Sequence, residues 1–149
     1  MQSARSALRI SASLLREIMA SSQSLTSTLL NYVHTFMLQS SQAALANGRG
    51  RLDERLARWL LMWHDRVESN EFATTHELLA LLRGVRRAGV TVALHELEGR
   101  GLIRSLRGRI SIVDRLGLEL AASGFYGIPE CEYERSIGFA SGRRSLPSP

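Results

Sequence analysis

Lysine is missing altogether: the 19 basic positions are all arginine and stand against 14 acidic residues, a formal net charge of +5. A positive balance of this kind suggests a polyanionic partner, and charge alone does not separate nucleic acid from an acidic membrane surface. Cysteine is nearly missing too. Cys131 stands alone, so no internal disulfide can form, which leaves a cytoplasmic address unopposed. No apolar run approaches the roughly 18 residues of a membrane span, and no secretory signal opens the chain. No aspartate, glutamate or arginine occurs between Glu17 and Arg49, where His34 is the one titratable base. With 149 residues the chain can bury a sizeable core, but two domains would fit uncomfortably.

The patterns of catalysis are missing as well. His34, His64, His76 and His95 include no pair four apart on one helix and have no cysteine pair nearby, so a metal site is not expected. His64 and Asp65 are sequence neighbours, which do not face each other on a helix. No serine lies in a G-x-S-x-G elbow, and there is no G-x-x-x-x-G-K phosphate loop. The chain therefore reads as a binding protein and not an enzyme.

What is present centres on Thr74 to Val113, TTHELLALLRGVRRAGVTVALHELEGRGLIRSLRGRISIV. A first helix opens at Thr74 or Thr75, whose hydroxyl can cap the first turn, with Leu78, Leu79 and Leu82 as its apolar stripe. Gly84 then permits a turn with positive φ. A second helix starts near Arg86 and ends near Gly99 or Gly101. Val90, Ala93, Leu94 and Leu97 lie on one side, and Arg87, Ala88, Thr91, His95 and Glu98 on the other. Two strands, Leu102 to Leu106 and Arg109 to Val113, flank the two-residue turn Arg107-Gly108. Helix, turn, helix and hairpin in this order predict a winged helix-turn-helix. Seven arginines against Glu96 and Glu98 between Arg83 and Arg109 form a footprint for phosphate. An isolated Arg86-Arg87 pair would read as a solvated helix start. Combined with the cap, the turn and the Arg-rich hairpin, it reads as DNA binding, because an arginine at the front of a slim helix can bond a guanine edge in the major groove.

Upstream, Ala7 to Ile10 looks like a strand end running into a helix that starts at Ser11 or Ser13. Ser24 to Ala46 is a long helix. Leu25, Leu29, Tyr32, Phe36, Gln39, Ala43 and Ala46 make a coiled-coil seam, with Leu30, Val33, Met37 and Ala44 beside it. Two apolar stripes imply two burial partners, the chain's own body and a second copy; a single core facing both is the bland alternative. Asn47-Gly48-Arg49-Gly50 is the expected hinge. Arg51 to Val67 is a further helix that buries Leu52, Leu56, Trp59 or Leu60, Trp63 and Val67. Glu68 to Ala73 reads as a polar connection. After the hairpin, Asp114 to Ala122 is a short helix with Leu116, Leu118 and Leu120. Glu130 to Ile137 could make one more helical turn, and Gly138 to Pro149 reads as a disordered tail.

In LDERLARWLLMWHD (Leu52 to Asp65), GVRRAGVTVAL (Gly84 to Leu94) and GLIRSLRGRISIVDR (Gly101 to Arg115), the chain resembles the C-terminal part of a Crp/Fnr-family bacterial transcription regulator. The likeness runs from about Ala7 to about Ala122. It implies a mainly α fold with a small β wing. Residues 1–16 would be a remnant of a sensor domain, 17–47 the dimerisation helix, 48–122 the winged helix-turn-helix and 123–149 a partly disordered extension. It implies a homodimer joined through Leu25, Leu29, Tyr32, Phe36 and Ala43 and bound to a roughly palindromic operator. DNA would be touched by Thr75, His76, Arg86, Arg87, Ala88, Thr91, Arg107 and Arg109. Of these, Thr75 and Arg86 would contact phosphate, Arg87 would read a base, and the two wing arginines would meet the backbone. Ala88 falls where many relatives carry a base-reading glutamate and Val92 where they carry an arginine, so the family's usual operator is not implied. The implied partners are double-stranded DNA, a second copy and RNA polymerase, with no membrane. No cofactor is expected in this stretch; a cyclic nucleotide or other effector, an iron–sulfur cluster or haem would belong to an N-terminal β-roll. The rival reading is a winged helix used for protein–protein contact, or a module that only dimerises, without DNA binding.

Overall fold

The computed structural model describes residues 8–67 and 69–138. α1 (Ala12–Ser21) begins at Ser11, whose hydroxyl accepts from the Leu14 amide at 3.3 Å. Leu8 to Ile10 are irregular and carry no strand end; Ala7 lies outside the described residues. Ser22 separates α1 from α2 (Gln23–Arg49) and caps it in the same way. α2 is longer than its apolar pattern. Asn47, Gly48 and Arg49 continue the helix, and the break falls at Gly50, whose amide still bonds the Ala46 carbonyl at 2.8 Å.

α3 (Leu52–His64) starts where the Glu54 carboxylate accepts from the Arg51 amide at 2.8 Å. Of the expected stripe, Leu56, Trp59, Leu60 and Trp63 are buried, whereas Leu52 is partly buried and Val67, also partly buried, lies beyond the end of the helix at His64. Ala57, Arg58 and Leu61 are buried as well, so α3 is covered nearly all round and forms the centre of the core. Trp59 and Trp63 meet edge to face with ring centroids 4.7 Å apart. Trp63 also stacks on Phe72 at 4.8 Å.

Phe72 belongs to β1 (Glu71–Ala73), a strand within the stretch expected to be a polar connection. With β2 (Ile103–Leu106) and β3 (Arg109–Ile112) it makes an antiparallel sheet in the order β1-β3-β2, pairing Phe72 with Ile110 and Ser105 with Ile110 from the other side. Alternation buries Phe72, Ile103, Ile110 and Ile112 on one face. α4 (His76–Arg83) and α5 (Arg87–Gly99) lie between β1 and the hairpin. In α4 the buried positions are Leu79 and Ala80, whereas Leu82, expected in the stripe, is partly exposed. In α5 the expected Val90, Ala93, Leu94 and Leu97 are all buried.

α6 (Arg115–Ala121) buries Leu118 but exposes Leu116 and Leu120, since residues two apart cannot share a helix face. α7 (Ile128–Ser136) is a nine-residue helix, longer than the single turn expected. It lies along α2. The inward face of α2 therefore carries Thr35 and Ala46, which are buried, and Gln42, which donates to the Gly124 carbonyl at 3.1 Å. This corrects the expected partition of α2. The middle of neither apolar stripe is covered by the chain's own body, because Leu30, Tyr32, Val33, Phe36 and Met37 are all exposed. Residues 139–149, expected to be a disordered tail, lie outside the described residues.

Candidate nucleic-acid interface

Three local devices position the elements that carry the predicted contacts. Thr75 precedes α4 and its hydroxyl accepts from the Leu78 amide at 3.2 Å, leaving the residue itself exposed. Gly84 closes α4 in the left-handed region at φ 63°, and Val85 and Arg86 lead into α5. The turn between the helices is tight because glycine enters that region without a Cβ penalty. At the other edge, the Thr74 amide donates to the Gly108 carbonyl at 3.0 Å. That bond ties the wing turn to the residue that precedes Thr75 and the start of α4.

Arg86, Arg87 and Ala88 are exposed at the front of α5. The Arg86 side chain does not cap this end, and no other described residue is seen to, so first-turn N–H groups and the positive end of the helix dipole are available to phosphate. Arg87 is not idle: its Nε lies 2.9 Å from Glu77 Oε1 on α4. The Glu77 carboxyl is held below its ordinary range by its own backbone N–H, with Arg87 adding to the effect. His76 and Thr91 bond each other, with Nδ1 2.9 Å from the Thr91 hydroxyl, which also donates to the Arg87 carbonyl at 3.2 Å. An Nδ1–H donating into Thr91 satisfies both bonds. These two residues thus pin α4 to α5 as well as bordering the exposed face.

The outer face of α5 differs from expectation at one position. Glu98 turns toward the wing, where its carboxylate accepts from the Ser105 amide at 2.8 Å. Val92 and Glu96 stand exposed beside Ala88 and His95 instead. On the wing, Arg107 is exposed with no ion-pair partner among the described residues. Arg109 pairs with Glu71 on β1 at 3.0 Å. The helix start therefore offers Arg86 and Arg87 and the wing Arg107 and Arg109, and of these Arg87 and Arg109 are held by surface carboxylates.

Sequence reasoning missed the polar cluster at the end of α3 and the start of α6. Tyr126 donates to Asp65 at 2.7 Å, Arg115 reaches Asp65 at 2.9 Å and Glu119 at 2.9 Å, and Arg115 also contacts His64. His64 in turn meets Asn70 at 2.7 Å. Burial, then the Asp65 charge, pushes the Tyr126 hydroxyl well above the ordinary tyrosine range. No signal at fixed spacing could have joined residues 50 and 61 positions apart. Among the described residues, no group of histidine, cysteine or acidic side chains could hold a metal ion, and no helix is long and apolar enough to cross a membrane.

A helical pair joined by a glycine turn, with a three-stranded sheet whose hairpin flanks the second helix, is a winged helix-turn-helix. The Crp-like helix-turn-helix domain family matches residues 54–121. Among solved structures, a Crp/Fnr-family protein from Eubacterium rectale is 26% identical, with a TM-score of 0.57 over 76% of this chain and 52% of that one. A Crp-family transcriptional regulator from Thermus thermophilus is also 26% identical, with a TM-score of 0.50 over 59% of this chain and 48% of that one. No curated protein matches the chain by sequence. Residues 54–121 are thus similar to the Crp-like helix-turn-helix domain, and the chain spans about half the length of the solved Crp/Fnr-family relatives it matches.

Proposed function

We propose that the chain binds double-stranded DNA in a sequence-selective way as a homodimer. The start of α5 would enter the major groove and the wing turn would rest on the backbone. The observation that carries this reading is the Thr74-to-Gly108 bond, which places the Arg107 turn beside the same helix pair that presents Arg86 and Arg87. Arg86, Thr75 and the uncapped first turn of α5 suit phosphates, and Arg87 suits a guanine edge. Arg107 and Arg109 suit the adjoining backbone. Ala88 and Val92 have no hydrogen-bonding side chain, so base reading rests more narrowly on Arg87 than it would with a carboxylate or second arginine there.

Two copies are favoured by α2. Phe36 and Met37 are 58% and 63% exposed in a stretch that holds no aspartate, glutamate or arginine between Glu17 and Arg49. Together with Leu29, Leu30, Tyr32 and Val33 they form a strip that water would not otherwise cover cheaply. Leu25 and Ala43, half-buried, continue it toward each end of the helix. A two-fold pairing of α2 would give two recognition helices for half-sites about one turn of duplex apart. RNA polymerase as a further partner is part of the same proposal. So are the cytoplasmic setting and an effector bound by a sensor region of the β-roll kind.

Mobility of a random duplex tests the reading. At about 50 mM salt the protein should shift the duplex, and at about 200 mM the shift should weaken by about 1,000-fold if some six phosphates are neutralised. Failure to shift at either salt would favour use of the winged helix as a protein-docking surface, for which the exposed Val92 on α5 is the available apolar contact.

A further inference from the structure

The segment after α6 joins three parts of the molecule. From α2, Gln42 donates to Gly124, and Thr35 and Ala46 are buried on the side along which α7 lies. From α3, Arg58 Nε donates to the Phe125 carbonyl at 2.9 Å, while its terminal nitrogen reaches the Gln39 carbonyl on α2 at 3.5 Å. From the end of α3 and the start of α6, Asp65 and Arg115 both hold Tyr126. Phe125 also packs so closely on the Gly50 break that a Cβ there would lie 3.0 Å from its ring.

Arg58 shows why these ties act together. It is only 3% exposed, and no carboxylate among the described residues pairs with it. Burial pulls its pKa down, with the Glu130 charge of α7 opposing. A buried cation is tolerated only when oriented dipoles replace water. Here the dipoles are carbonyls of two segments that meet only when residues 122–127 fold back across the α2–α3 junction. Detaching that segment strands the charge, so it is held more firmly than its polar surface would suggest.

We infer that residues 122–137 are a positioning strut that fixes the angle between α2 and the winged helix across Gly50. If α2 joins two copies, the strut sets the separation of their recognition helices. The DNA consequence rests on the proposed function, whereas the mechanical role does not. Without the strut, Gly50 and Arg51 would be the main connection between α2 and the body, since α2 and α3 touch little beyond it.

The test uses the full chain in a Cys131→Ser background, with spin labels at Ser41→Cys on α2 and Leu120→Cys on α6, both exposed. Labelled chain is diluted with unlabelled chain so that only within-chain distances are read. Glu132→Pro, which breaks α7, should at least double the width of the distance distribution relative to the unbroken protein. Arg58→Met and Gln42→Ala should widen it less, and they decide the matter if Glu132→Pro fails to melt cooperatively. On the duplex that the protein selects from a random pool, Glu132→Pro should weaken binding to two half-sites by about ten-fold. Binding to a single half-site should change less than about two-fold, because only the second engagement depends on fixed geometry. An unchanged distance distribution in folded variants overturns the strut. Loss of binding to both duplexes alike overturns its role in spacing. Absence of duplex binding by the unaltered protein would refute the DNA reading while the distances still decide the strut.

Discussion

Glu77 on α4 holds Arg87 on α5 through a 2.9 Å contact between Oε1 and Nε, with both side chains more than half exposed. The residue proposed to read a base is thus already engaged by a carboxylate that DNA would have to displace. Glu77→Gln should tighten binding to any duplex by about two- to five-fold at low salt, the worth of an exposed ion pair. Fluorescence anisotropy measures it. Because its backbone N–H and then Arg87 keep the Glu77 carboxyl low, acidification through the mildly acid range should not release Arg87. Weaker binding by Glu77→Gln would mean that the carboxylate aims Arg87 instead of competing for it.

The wing makes a similar comparison possible. Arg109 is paired with Glu71, and Arg107 has no ion-pair partner among the described residues. Arg107→Ala should lower the slope of log affinity against log salt by about one unit. Arg109→Ala should lower it by less, because Glu71 already offsets part of its charge. Equal slopes across all three proteins would place the wing off the backbone.

Phe36→Glu would put a carboxylate into the proposed seam, where it could not be solvated. Self-association measured by sedimentation equilibrium should weaken by at least about 100-fold, while the melting of the winged helix stays within a few degrees. An unchanged association constant would remove this face of α2 from any dimer.

Tyr126 ties stability to alkaline pH. Its hydroxyl holds a proton more tightly in the folded chain than at the ordinary value of 10.0, first because it is buried and then because Asp65 faces it. The resulting stabilisation is complete below that ordinary value. It is lost as pH rises, because the unfolded chain releases the proton first. Urea midpoints should therefore fall more steeply between about pH 9 and pH 11 in the parent protein than in Tyr126→Phe. Parallel curves would mean that Tyr126 does not differ between the two states.

The legible parts of this chain were those in which local pattern and tertiary burial agree. Val90, Ala93, Leu94 and Leu97 repeat at helical spacing and are all buried. Gly84 and Arg107-Gly108 mark turns that form where residue chemistry requires them. What failed to show depends on distant partners. β1 is three residues long and exists because Phe72 pairs with Ile110 and stacks on Trp63. α7 (IPECEYERS) has almost no apolar stripe, so its packing on α2 leaves little trace in spacing. In α2 the apolar pattern was real, but its middle, Leu30, Tyr32, Val33, Phe36 and Met37, is turned away from the chain's own body, while Thr35, Gln42 and Ala46 face inward. Arg58 reads as an ordinary helix-surface arginine until the Phe125 carbonyl is found beside it.

Selection of duplexes from a random-sequence pool, followed by sequencing of those retained, tests the central claim most directly. The account predicts two inverted half-sites centred about 10 base pairs apart, and Arg87→Ala should erase the preference at one position in each half, a loss of about 1–3 kcal/mol there. A pool that emerges with no shared motif, or one whose preferences survive Arg87→Ala untouched, would contradict it.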